Sequence, residues 1–212
     1  MGRGLFITVE GVEGAGKTTQ VARLAVRLRG LGREVLVVRE PGGTPLAEQA
    51  RRLVLDPAQE LAPATELFLM LVARADLVHH VVRPSLRSGA TVIADRFDLS
   101  TRAYQIGGRE LPETEVVAAN GLATGGLVPD LVVVLDVPPD VGRARQAAAG
   151  KTMDRMELAD EAFHRRVAET FRQARGPGIV HVAADRPAEQ VHSALWAELT
   201  GRFPDTFPVA EA

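Results

Sequence analysis

Short runs of aliphatic and β-branched residues recur along the chain, separated by longer stretches in which apolar residues return every three or four positions. Leu5 to Val9 is the first run; a glycine-rich turn follows, then a segment from about Lys17 whose Val21, Leu24, Ala25 and Leu28 fall on one helical face and which Gly30 and Gly32 end. Glu34 to Arg39 is the second run, and after Pro41-Gly42-Gly43 a helix is predicted with Thr44 as N-cap, Pro45 in its first turn and Asp56-Pro57 at its close. Helical spacing extends from Pro63 to Val82, with Leu67, Met70, Leu71, Arg74 and Val78 as same-side neighbours. Ala90 to Asp95, Leu131 to Val137 and Ile179 to Ala183 are the remaining strand candidates. Further helices are predicted near 112–124, 139–149, 160–175 and 187–200. Strands without polar alternation, interleaved with helices, imply a parallel sheet covered on both faces, hence an α/β fold.

The length of 212 residues and 46% hydrophobic content suit one substantial core. One domain over 1–202 is expected, with a tail over 203–212 that carries two prolines. A net charge of −2 and a pI near 6.2 argue against a nucleic-acid surface and leave mononucleotides open as ligands. The chain has no cysteine, which excludes disulfides and thiolate metal sites. No stretch approaches the roughly 20 apolar residues of a membrane span, and the opening residues lead straight into a strand instead of a signal peptide's apolar segment. The expectation is a cytoplasmic protein with no membrane partner.

Gly11-Val12-Glu13-Gly14-Ala15-Gly16-Lys17-Thr18 fits G-x-x-x-x-G-K-[ST] between a predicted strand and a predicted helix. Its glycines let successive backbone N–H groups face one anion; Lys17 reaches the outer phosphates, and Thr18 is a Mg²⁺ ligand. A P-loop alone does not separate a kinase from an NTPase or a switch. Asp95 ends an apolar strand, where it can organise Mg²⁺ while Arg96 meets a phosphate. Asp136 also ends a strand but has no basic neighbour within six residues, and no ligand role is expected for it. Arg74 interrupts an apolar helical face, so it should have an anionic or hydrogen-bonding partner. A carboxylate at Glu13 repels ATP unless it faces another ligand, such as a sugar hydroxyl.

Phe6 to Gln20, Arg39 to Glu48, Asp95 to Gln105, Pro129 to Pro139 and Asp154 to Glu157 resemble, in order and approximate spacing, the corresponding segments of the bacterial thymidylate kinases. The resemblance covers nearly the whole chain. It implies a five-stranded parallel sheet ringed by helices, a lid at about 143–157, a cytosolic homodimer and the Mg²⁺-dependent reaction of ATP with dTMP to give ADP and dTDP, on the way to dTTP. It places ATP on residues 11–19, which include Thr19. On the acceptor side it places Glu13 on the 3′-hydroxyl and Arg96 on the acceptor phosphate. Arg74 falls on the thymine edge, Thr101 and Gln105 face the base, and Tyr104 crowds a ribose 2′-hydroxyl. Arg39, Pro41 and Arg51 line the monophosphate pocket. Arg39 and Arg51 also read as ordinary solvated charges, and Tyr104 as core.

The P-loop supplies only Lys17 as a cation, so further positive charge has to come from elsewhere. Arg143, Arg145, Lys151 and Arg155 surround the segment matching the lid, and Arg155, then Arg143, is the expected catalytic contributor. The chain departs from the family at Phe97, where Tyr is usual, and at Met70, where Phe is usual. Met70 lies about 40° from Arg74 on a helix and can share a base with it, whereas Phe68, rotated by about 120°, is expected to point into the core. Another nucleoside-monophosphate kinase and a non-catalytic P-loop switch remain open.

Overall fold

The computed structural model describes residues 3–148, 150, 152–204, 206 and 207. Five parallel strands, β1 (Phe6–Glu10), β2 (Val35–Arg39), β3 (Thr91–Asp95), β4 (Leu131–Asp136) and β5 (Ile179–Ala183), form one sheet in the order β2-β3-β1-β4-β5. Every β1 residue is buried, as expected of a strand covered on both faces. Residues alternate between those faces. Ile7 and Val9 join Leu24 and Leu28 of α1 (Lys17–Gly30) and Leu195 and Trp196 of α9 (Ala188–Arg202), while Phe6 meets Leu77, Val82, Val92 and Phe97 on the other side.

The predicted strands stand within a residue of their expected ends. Helix α2 (Pro45–Leu55) starts as its sequence dictates, with the Thr44 hydroxyl accepting from the Ala47 N–H at 3.1 Å. The helical stretch from Pro63 continues beyond Val82: α3 (Pro63–Leu77) passes through a wide π turn at Val78–Val82 into α4 (Arg83–Arg87). A second such rod, α5 (Asp98–Thr101) running into a π turn over Arg102–Gly108, was not among the expected helices. Helices α6 (Glu113–Thr124), α7 (Pro139–Ala148) and α8 (Glu161–Gln173) complete the framework.

Two expectations are corrected. The tail does not begin at 203: Phe207 is 0% exposed, its ring 6.1 Å from that of Trp196, and Phe203 packs on the same core. Positions 205 and 208–212 lie outside the described residues, as does Lys151. Phe68 is not core but 61% exposed, because the inner faces of α3 are already taken by Leu67 and Leu71 against Val116, and by Ala73 against α2.

Candidate active site

Strand β1 lies between β3 and β4, with Val9 opposite Asp95 and Glu10 opposite Val134; the connection after β1 runs past β3 to β2 and the one after β3 runs past β1 to β4, so the direction reverses between β1 and β3 and a crevice opens at their carboxyl ends. A cleft of about 890 Å³ fills that crevice. Gly16 begins α1 with no side-chain cap, and no acidic residue stands in the helix's first turn, so its free N–H groups and positive dipole end are offered to an anion. Gly14 has φ +73°, and a Cβ there would sit 2.2 Å from the Gly142 carbonyl, so only glycine lets the P-loop touch the first turn of α7.

Lys17 is folded back on the loop, donating to the carbonyls of Gly11 at 3.1 Å and Val12 at 2.7 Å. Burial pushes its ammonium down to about 8 and Arg96 adds to that; Glu13, Asp95 and Glu10 pull the other way. Thr18 donates its hydroxyl proton to Asp95 at 2.7 Å. Two hard oxygen donors thus stand together, as Mg²⁺ requires. Among the described residues no group of three or more metal-ligating side chains exists, so a cation here would complete its shell with phosphate oxygens and water.

Arg96 holds the centre. It donates to the Gly11 carbonyl at 3.1 Å, Ser100 Oγ at 3.0 Å, Glu13 Oε1 at 2.8 Å and the Tyr104 oxygen at 3.2 Å, and Tyr104 in turn donates to Glu13. Burial alone would raise the Glu13 carboxyl, but Arg96, Lys17 and the Tyr104 hydroxyl outweigh it and hold it below its usual range. The P-loop carboxylate expected to repel ATP is therefore already paired within the protein. Tyr104 is both core and cleft wall: its ring packs with Phe163 and Phe171 while its hydroxyl faces the site.

Sequence reasoning passed over Glu10. It is wholly buried at the end of β1 and accepts from the Phe97 N–H at 2.7 Å and the Ser100 hydroxyl at 2.6 Å, which fixes the turn that presents Arg96. Burial pushes its carboxyl up to about 7, against the lowering effect of Ser100, Arg96 and the Phe97 N–H. A carboxyl raised on folding contributes stability that is complete below the unfolded value of 4.5 and is lost as pH rises through about 7. Glu10→Gln should therefore remove a pH-dependent loss on the order of 3 kcal/mol. Urea unfolding of both proteins at pH 5, 6, 7 and 8 checks this; parallel stability curves would refute it.

Arg74 is 3% exposed and has the partners its position demanded. It donates to Glu40 Oε2 at 2.7 Å, Thr101 Oγ1 at 2.7 Å, Asn120 Oδ1 at 2.6 Å and the Phe97 carbonyl at 2.9 Å. Met70, Thr101, Gln105 and Pro41 line the same end of the cleft. Arg39 and Arg51 line it too: Arg39 is paired with Glu48 at 3.0 Å and Arg51 donates to the Pro41 carbonyl at 2.8 Å. Gly14, Gly16 and Thr19 form the opposite end, whereas Gly11, Val12 and Ala15 stand behind this wall.

The arginines of the expected lid segment do not all reach the cleft. Arg143 and Arg145 line the cleft, but Arg155 does not: its guanidinium donates to the Val54 carbonyl at 2.8 Å and to Glu66 at 2.7 Å. A buried carboxylate outcompetes open cleft for a guanidinium, and Glu66 carries no local signal of this pairing because its partners lie far along the chain. Arg145 also ties α7 down by donating to the Ala184 carbonyl at 2.9 Å. Asp136 is engaged structurally, 2.8 Å from His181 Nδ1.

A family model described as thymidylate kinase matches residues 9–195. The thymidylate kinase of Deinococcus radiodurans is 46% identical over 205 residues, covering 95% of this chain and 99% of the relative. Those of Pseudomonas fluorescens and Thermomicrobium roseum are 49% and 48% identical, covering 91% and 92% of this chain and 93% and 94% of their own lengths.

Proposed function

The chain belongs to the thymidylate kinase family, and from that premise we propose that it uses one cleft to carry the terminal phosphoryl of ATP at the P-loop end to dTMP at the α3–α5 end. The observation that carries this arrangement is Arg96, whose guanidinium bonds the P-loop carbonyl of Gly11 on one side and the acceptor wall at Glu13 and Tyr104 on the other. An acceptor phosphate held there meets ATP phosphates cradled by residues 11–19. Its oxygen forms the new P–O bond as the bond between the γ-phosphorus and the bridging oxygen breaks, and ADP departs.

In that reading Lys17 exchanges its loop carbonyls for the transferring phosphoryl, and Arg143 and Arg145 supply charge from the lid. Glu13 takes the 3′-hydroxyl, and Tyr104 closes the space a 2′-hydroxyl would need. Met70 and Arg74 meet the base, with Thr101 and Gln105 beside them. Arg39, Pro41 and Arg51 bound the phosphate pocket. Thr18 and Asp95 would hold Mg²⁺, which supplies neutralisation of phosphate charge. The expected single catalytic domain, the lid near 143–157 and the cytoplasmic setting belong to the same reading. A homodimer does also, and exposed Phe68 and Val72, four residues apart on α3, supply an apolar face for it.

ADP release measured across dTMP, dUMP, dCMP, ribose UMP and no acceptor tests the proposal. Release should depend on acceptor and be fastest with dTMP. Turnover without acceptor would favour the switch, and preference for another monophosphate would overturn the acceptor assignment.

A further inference from the structure

Glu66 lies outside the cleft wall, on α3, and is 0% exposed. Three side chains converge on its carboxylate: Arg155 at 2.7 Å, Arg109 at 3.0 Å and the Gln105 side-chain nitrogen at 2.9 Å. Arg109 and Arg155 each have other work, over the Phe163 ring and on the Val54 carbonyl. Gln105 does not: it is a neutral amide, buried, and part of the cleft lining.

An amide can present either end, and what stands behind it decides which. A carboxylate held by two guanidiniums accepts and does not donate, so the nitrogen end of Gln105 must face Glu66, and the carbonyl oxygen is the end it can offer to the cleft. One turn earlier, Thr101 accepts from Arg74, which leaves the hydroxyl proton to be donated toward the cleft. The wall thus offers an acceptor next to a donor. A pyrimidine edge with an N–H beside a carbonyl, as in thymine and uracil, matches this pattern; cytosine, with a bare ring nitrogen beside an amino group, presents the reverse.

We infer that Glu66 is a specificity-determining positioning residue, which sets the polarity of Gln105 so that the site accepts imide pyrimidines and rejects amidine ones. The inference rests on the assignment of this end of the cleft to the acceptor base. Buried polar groups that would be left mispaired are what make such a site reject the wrong partner.

The test is Glu66→Gln in the full chain. A glutamine there can donate or accept, so Gln105 becomes free to turn over. The ratio of kcat/KM for dTMP to that for dCMP should fall by about tenfold or more, mainly through a raised dTMP KM. Loosening of Arg155, which ties this region to the Val54 carbonyl, would lower Tm and leave that ratio untouched. Arg109→Met, which removes a partner of Glu66 without touching the amide, should lower Tm and keep the ratio. An unchanged ratio in Glu66→Gln, whatever happens to Tm, overturns the inference. Should that variant fail to fold, NMR of the unmutated protein with dTMP decides instead. The Gln105 NH₂ protons must stay protected and show no contact to the nucleotide; NH₂-to-base contacts overturn the inference. Failure of the unmutated chain to phosphorylate dTMP would be a failure of the acceptor assignment itself, which the panel assay detects separately.

Discussion

Lys17→Ala is expected to lower kcat by roughly two to three orders of magnitude, because the ammonium acts on charge that develops in the transferring phosphoryl. The ATP KM should move far less, since the α1 N-terminus and the loop's own N–H groups hold the phosphates independently of it. Circular dichroism should show an unchanged fold. A second readout follows from the burial that pushes Lys17 down to about 8. Phosphate anions beside it favour the charged form, so ATP binding near pH 8.5 should draw a proton from buffer. Titration calorimetry in two buffers of different ionisation enthalpy measures that uptake, and Lys17→Ala should abolish it. Near-normal kcat in the variant would remove Lys17 from the chemistry.

Arg96→Gly should lower kcat/KM for dTMP by about two to three orders of magnitude, the effect expected for a preorganised cation facing phosphate. Glycine is the informative replacement here. Arg96 has φ +75°, a conformation glycine adopts freely, and the turn is fixed from outside by its N–H on the Val9 carbonyl and by Glu10 on Phe97. The backbone is therefore kept while the guanidinium is lost, and Glu13 and Tyr104 are left without their cation. Arg96→Lys keeps the charge but cannot bridge four acceptors, so it should fall between the two. Steady-state rates at varied dTMP check both, and a loss smaller than threefold in Arg96→Gly would show that the acceptor phosphate is held elsewhere.

What the sequence disclosed depended on how local each interaction is. The P-loop, the Thr44 cap and the strand ends read directly, since each is written in adjacent residues. Arg74 shows that a longer-range contact can be anticipated in kind: a charge on an apolar face demanded partners, though Glu40 and Asn120 were not identifiable as the ones. Glu66 and Glu10 left no comparable signal. Glu66 is bound to Arg155, 89 positions away, and Glu10 to Ser100, 90 away, and a lone acidic residue in an apolar stretch does not announce what it faces. For the same reason the pairing of Arg155 with Glu66 is not legible in the sequence. Phe68 erred differently: helical phase gave its angle from Arg74 correctly but not which side the rest of the protein occupies. The rod over 98–108 escaped because no side chain caps it and its wide turns break the 3.6-residue period on which helix recognition relies.

Those wide turns also bear on how the protein can change over generations. A π turn houses one residue more than the α-helix on either side needs, so single-residue length differences among relatives have a natural place to fall within 102–108 and 78–82. At the first of these the change would be contained. Loss of Arg102, which does not line the cleft, would shorten the wide turn to an ordinary helical one and keep Thr101 and Gln105 on one face of the rod. The rod can thus lose a residue without re-aiming the side chains that line the cleft on either side of the change.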